Sequence, residues 1–197
     1  MTTATTNVVV IGASAGGVVA LQRLLNGFAA DWPTSVFITI HSGKNRSLMP
    51  DILNQATPLR ASFAEHRVQF GRGVYVAPPD RHLIIENSTT LLSAGPKENH
   101  VRPAIDPMFR SAAKHHGPRV IGVLLTGYLY DGLNGLYEVH RRGGTTIVQD
   151  PVDAEVPDLP KNALARLQPD YVLPLDDIPG VISRQLERNT RSIKARS

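Results

Sequence analysis

Short, unbroken apolar runs alternate along this chain with stretches of helical periodicity. Val8 to Ile11 is followed by a helical pattern from Gly17 to Phe28, then by Val36 to Ile40, a short helix near Asp51 to Gln55 and a strand at Ala61 to Phe63. Runs that are apolar at every position, and not at alternate ones, suit a parallel sheet covered by helices on both faces. Between Gly71 and Ala94 the pattern changes. Val74 to Ala77, His82 to Ile85 and Thr90 to Leu92 are separated by Pro78-Pro79-Asp80 and Asn87-Ser88, which predicts an antiparallel excursion. The alternation then resumes with a helix around Met108 to Lys114, a strand Val120 to Leu125, a helix Leu133 to Arg141, a strand Thr145 to Val148, a helix Lys161 to Leu167, a short strand Tyr171 to Leu173 and a last helix from Ile178 to about Glu187. The pattern predicts a doubly wound α/β fold, a mainly parallel sheet with helices on both faces and a β-hairpin insertion. No repeat or long linker divides it, so one domain over residues 1–187 is expected.

With 197 residues, 42% of them hydrophobic, the chain is long enough to bury a continuous core. The absence of cysteine removes disulfides, thiolate metal sites and a cysteine nucleophile, leaving oxygen for any covalent catalysis. The formal charge of +4 is accounted for by Arg188, Arg191, Lys194 and Arg196, with no acid among the last ten residues. The rest of the chain is therefore neutral, which predicts a solvated basic tail over 188–197 and no nucleic-acid partner. The N-terminus shows neither a basic n-region nor an apolar h-region, and Val8 to Ile11 is too short to cross a bilayer. A cytoplasmic protein with no membrane insertion is expected.

The candidate chemistry lies where strands end. The first strand runs directly into Gly12-Ala13-Ser14-Ala15-Gly16-Gly17 and a helix, a G-x-S-x-G turn that can expose a serine hydroxyl beside the amides of a helix N-terminus. Ser14 as nucleophile and Ser14 as helix cap are equally compatible with this motif. The spacing differs from G-x-G-x-x-G, the second strand ends at His41 where a ribose-binding acid would stand, and no Gly-Lys-Ser/Thr follows; dinucleotide and P-loop sites are unsupported. His41 stands at the carboxyl end of the second strand. If the first two strands are neighbours, roughly 4.8 Å apart, His41 can reach Ser14 as a general base; otherwise it is a loop histidine without a task. Asp131, just beyond the strand Val120 to Leu125, is the candidate to orient the imidazole, and could equally cap the helix that begins near Leu133. All three fall at the carboxyl edge of one sheet, where α/β folds place their sites. His66, His82, His100, His115, His116 and His140 lack paired ligand spacing, so neither a metal nor another cofactor is expected.

These residues stand in an order that resembles the catalytic domain of the CheB methylesterases, from Val8 to about Leu186. The resemblance is carried by Val-Ile-Gly-Ala-Ser-Ala-Gly-Gly at 10–17, His41, Tyr-Val-Ala-Pro-Pro-Asp-Arg-His at 75–82, Arg102-Pro103-Ala104-Ile105-Asp106 with Phe109-Arg110-Ser111-Ala112-Ala113, Leu-Leu-Thr-Gly at 124–127 with Asp131-Gly132, and Gly143-Gly144 leading to Gln149-Asp150-Pro151. It implies a Ser14–His41–Asp131 triad that removes methyl groups from glutamate γ-methyl esters on the helices of bacterial chemoreceptor-like proteins, with glutamine deamidation as a second activity. Oxyanion support would come from backbone amides near Ala15 or Tyr128. Family members usually carry an N-terminal receiver domain, for which this sequence leaves no room, so a separate signalling regulator is a second expected partner. The family commonly has Thr where Ala15 stands and Met-Gly where Tyr128-Leu129 stand. These departures motivate an alternative, a non-catalytic or altered-specificity relative that binds a receptor or signalling partner.

Overall fold

The computed structural model describes residues 7–41 and 47–194, with side chains as far as 191. The first strand, β1 (Asn7–Ala13), leads through helix α1 (Gly17–Asn26) to β2 (Thr34–Ile40), α2 (Met49–Asn54), β3 (Ala61–Phe63), β4 (Val68–Gln69), β5 (Gly73–Val76), β6 (His82–Glu86) and β7 (Thr89–Ser93). Then come α3 (Ile105–His116), β8 (Val120–Leu124), α4 (Leu133–Arg141), β9 (Thr145–Gln149), α5 (Asp158–Leu164), β10 (Tyr171–Leu173) and α6 (Ile178–Lys194). Among the described residues, seven strands form one sheet in the order β10-β9-β8-β1-β2-β5-β3, and every neighbouring pair in it is parallel.

Side chains of β1 and β2 divide by parity between two cores. Val9, Ile11 and Ala13 join Val36, Ile38 and Ile40 beneath α1, α2 and α6, while Val8, Val10 and Phe37 pack with residues of α3, α4 and α5. A strand buried on both faces gains from apolar residues at every position, which is why these two runs show no alternation. The doubly wound reading of the chain is the observed architecture.

Two expectations need correction. Val74 to Ala77 does not belong to the antiparallel excursion: β5 lies in the main sheet, parallel to both β2 and β3. Val74 and Val76 are buried under one face, and Tyr75 packs against the core on the other. Its unbroken apolar character was the signal of a core strand, overshadowed by the turn residues around it. The excursion is the β6–β7 hairpin, turned at Asn87-Ser88, with β4 added to β7. Secondly, α6 continues past Glu187 to Lys194, so Arg188 and Arg191 stand on a helix and not in a tail; Arg196 lies outside the described residues. Several helices also start earlier than expected, α3 at Ile105 and α5 at Asp158. Among the described residues, no helix is long and apolar enough to cross a membrane.

Candidate functional site

Ala13 at the end of β1 pairs with Ile40 at the end of β2, so Ser14 and His41 step off adjacent strands at the same level. The His41 N–H donates to the Ala13 carbonyl at 3.3 Å. On the opposite side of β1, the chain beyond β8 continues the ladder: the Leu125 N–H donates to Gly12 O at 2.9 Å, and the Ser14 N–H to Thr126 O at 3.0 Å. The connection after β1 runs to β2 and the connection after β8 runs the opposite way to β9, which makes the carboxyl ends of β1 and β8 the switch point where α/β folds open a crevice. Ser14 does not cap α1. That position belongs to Gly16, in a left-handed conformation (φ 74°) and with no side-chain cap, and the Ser14 Oγ instead lies 2.9 Å from His41 Nδ1.

The far side of the imidazole meets Asp131, with His41 Nε2 2.7 Å from Asp131 Oδ2. An ionised carboxylate can only accept, so the proton of a neutral His41 sits on Nε2 and leaves Nδ1 free to accept from the serine hydroxyl. Asp131 is only 3% exposed. Burial by itself would raise its pKa. Hydrogen bonds from His41 and the Ile105 amide, the charge of His41 and a hydrogen bond from Asn99 outweigh burial and hold the carboxyl below the ordinary range.

Asp131 does not cap its own helix either; the residue at the start of α4 is Gly132, without a side-chain cap. It caps α3 from a distance, accepting from the Ile105 N–H at 2.7 Å and the Asp106 N–H at 3.2 Å, where the helix dipole favours an anion. Asp106 in turn accepts from the Gly135 N–H of α4 at 2.6 Å. Between the two carboxylates stands Asn99, whose Nδ2 donates to Asp131 Oδ1 at 2.7 Å and to Asp106 Oδ2 at 3.0 Å. Burial raises the pKa of Asp106, helped by the nearby charge of Asp131 and opposed by the Gly135 amide and Asn99.

The wall beside Ser14 is built by the segment after β8. A Cβ added at Gly127 would lie 2.7 Å from the Ser14 Cβ, so only glycine lets this segment pass so close. Thr126 fastens it, with Oγ1 donating to Ala15 O at 2.9 Å and accepting from the Val156 N–H at 2.8 Å. The Thr126 N–H donates to Gln149 Oε1 at 2.9 Å. Beyond Gly127 the chain forms an exposed lip of Tyr128, Leu129 and Tyr130. The Leu129 carbonyl accepts from Asn162 at 2.8 Å, and Arg166 lies 4.9 Å from the centre of the Tyr130 ring.

A family model described as CheB methylesterase matches residues 9–182. The chain belongs to the CheB methylesterase family. Its members include a Methanosarcina mazei protein-glutamate methylesterase/protein-glutamine glutaminase, 38% identical over 88% of this chain, of which the chain spans 50%. A Leptospira interrogans protein provisionally given the same name is 35% identical over 92% of this chain and 95% of its own length. The crystal structure of the Thermotoga maritima CheB methylesterase catalytic domain superimposes with a TM-score of 0.85 at 31% identity, covering 92% of this chain and 98% of that one. This CheB-family chain is thus an ester hydrolase by relationship, a carboxylic ester hydrolase fold with a serine hydroxyl, an imidazole and a carboxylate in series.

Within this CheB-type domain, Leu129 adopts φ 65° at 65% exposure. That is the left-handed region in which glycine is at ease and a branched side chain is not. The sequence therefore marked the right position as a departure. It gave no notice of Asn99, of the α3 amides under Asp131, or of Thr126 and Gln149 as braces. A polar residue such as Asn99, in a turn between Pro96 and Pro103, carries no periodic signal that separates it from a solvated loop residue. His82 is a brace too: its Nε2 lies 2.9 Å from Pro96 O, and its Nδ1 accepts from the Ala104 N–H at 3.2 Å. Among the described residues, no three His, Cys, Asp or Glu side chains converge as a metal site requires.

Proposed function

We propose that this chain hydrolyses glutamate γ-methyl esters on the cytoplasmic helices of chemoreceptor-like proteins, with Ser14 as nucleophile, His41 as general base and acid, and Asp131 as the group that orients and stabilises the imidazolium. The observation that carries the reading is the unbroken series Ser14 Oγ, His41 Nδ1, His41 Nε2, Asp131 Oδ2, with contacts of 2.9 and 2.7 Å. His41 Nδ1 takes the hydroxyl proton as Oγ adds to the ester carbonyl. The same proton then leaves with methanol as the tetrahedral adduct collapses to an acyl-enzyme. Water, deprotonated by His41, releases the glutamate carboxylate and restores Ser14. With a glutamine side chain the same steps expel ammonia, a second activity that requires no additional group.

The developing oxyanion is assigned to the amides of Ala15 and Tyr128. Neighbouring amides are already engaged, Ser14 with Thr126 O and Gly127 with Val156 O at 3.0 Å, whereas among the described residues those of Ala15 and Tyr128 donate to no other acceptor. Methanol release from a methylated receptor fragment tests the reading. Wild type should release it and Ser14→Ala should not, while retaining its circular dichroism spectrum. Release by the folded Ser14→Ala protein would overturn the mechanism.

A second reading is favoured by one observation, the exposed Tyr128-Leu129-Tyr130 lip with its left-handed leucine. In that reading the site binds a signalling partner, a separate regulator or receptor segment, without turnover. Absence of hydrolysis of both receptor and small activated esters by folded wild type would select it.

A further inference from the structure

We propose that Asn99 is a positioning residue of the hydrolytic relay, acting through Asp131: its side-chain amide separates and satisfies two buried carboxylates, so that Asp131 faces His41 as a fixed anion. The inference rests on the assignment of Ser14, His41 and Asp131 as the hydrolytic groups.

A primary amide carries two N–H bonds, and Asn99 directs them to different carboxylates, one to Asp131 Oδ1 at 2.7 Å and one to Asp106 Oδ2 at 3.0 Å. Asp131 Oδ2 is occupied by His41 and the Ile105 amide, so without Asn99 its Oδ1 keeps only the Asp106 amide at 3.2 Å. Asp131 and Asp106, 3% and 1% exposed, would then face each other with no fixed donor between them, water alone entering through the exposed position of Asn99. Rotation of Asp131 or uptake of a proton relieves that repulsion, and either change loosens the bond that holds His41.

The turn that delivers Asn99 is held independently of its side chain. Glu98 and Val101 exchange backbone hydrogen bonds of 3.2 and 3.0 Å around Asn99 and His100, both left-handed with φ 49° and 67°. Asn and Gly are the residues that accept such a two-residue turn. Glu98 accepts from Arg110 of α3 at 2.9 and 2.8 Å. Arg102 donates to Asp80 and to the carbonyls of Ala94 and Gly95. The charged groups that act on this centre are His41 from the end of β2, Asp131 from the segment before α4, and Asp106 and Arg110 from α3, with Glu98 of the turn paired to Arg110.

Asn99→Gly removes the amide while keeping a residue that favours the turn, and Asn99→Asp keeps shape but can donate one hydrogen bond only while protonated. Hydrolysis of p-nitrophenyl acetate and acylation by a fluorophosphonate, followed against pH on the full chain, read the Ser14 relay without any receptor. Asn99→Gly should lower kcat ~10- to 100-fold, as loss of outer supporting groups commonly does, with KM unchanged. Its acid limb should move to higher pH, because Asp131 deprived of a donor takes up a proton more readily, and a protonated Asp131 no longer supports His41. The ratio of Asn99→Asp to wild-type activity should rise as pH falls. Wild-type kcat in Asn99→Gly, or losses in both variants with unmoved limbs and a pH-independent ratio, would overturn the proposal. Wild type that reacts with neither reagent would overturn instead the assignment on which it rests.

Discussion

Asp131 and Asp106 cap each other's helices: the Asp131 carboxylate receives the first amides of α3, which carries Asp106, and the Asp106 carboxylate receives the Gly135 amide of α4, which follows Asp131. The group hydrogen-bonded to His41 is therefore also a joint between two helices, and its ionisation belongs to folding as well as to the proposed relay.

Asp131→Asn should destabilise the fold at neutral pH by about 3 kcal/mol, since an amide nitrogen would be turned toward groups that already donate. Folding lowers the Asp131 pKa, so the ionised carboxylate stabilises the protein above the ordinary carboxylate value of about 3.9, and this contribution is lost as pH falls through the lowered value. Asp106 has the opposite sign, contributing fully below the ordinary value and losing that contribution as pH rises through its raised one, but it is present in both proteins. Denaturant melts should show a gap between wild type and variant that is full at neutral pH and closes in strong acid. A gap independent of pH would contradict the ionised, hydrogen-bonded Asp131.

Ser14→Ala should leave stability within about 1 kcal/mol of wild type, because the hydroxyl makes one hydrogen bond and caps no helix. Thermal melts check this. A large loss would mean that the serine serves the fold.

His41→Ala should cost nearly as much activity as Ser14→Ala, and the double variant should be little worse than either, because groups that share one proton transfer lose function together. A double-mutant cycle on ester hydrolysis measures the coupling. Multiplicative losses would argue for two independent contributions.

Leu129→Gly should raise stability by about 1 kcal/mol, since it removes a branched residue from the left-handed region. Combined with Tyr128→Met, it should also raise hydrolysis of a receptor methyl ester and of a small activated ester. The half-exposed phenol of Tyr128 offers a ring and a hydroxyl that methionine lacks. Reduced activity on the receptor ester with increased activity on the small one would assign Tyr128 to partner recognition.

The sequence by itself determined the parallel core and the level at which the candidate site lies. Continuous apolar runs such as Val8 to Ile11 and Val36 to Ile40 have a single economical burial, between two helical layers, and a strand–glycine–serine–helix junction must expose Ser14 at the sheet's carboxyl edge. His41 and Asp131 were legible as candidates because they follow such runs directly. Only the tertiary structure decided whether Ser14 caps α1 or meets His41, whether His41 stands alone or bridges Ser14 and Asp131, and whether Asp131 caps α4 or α3. Those choices depend on which strand lies beside β1 and on where a distant helix begins, neither of which local periodicity contains. Asn99 and Asp106 belong wholly to this second class. Their amide and carboxylates meet across stretches of chain with no common repeat, and buried carboxylates are placed by the pairing of their donors in space, not by any spacing along the sequence.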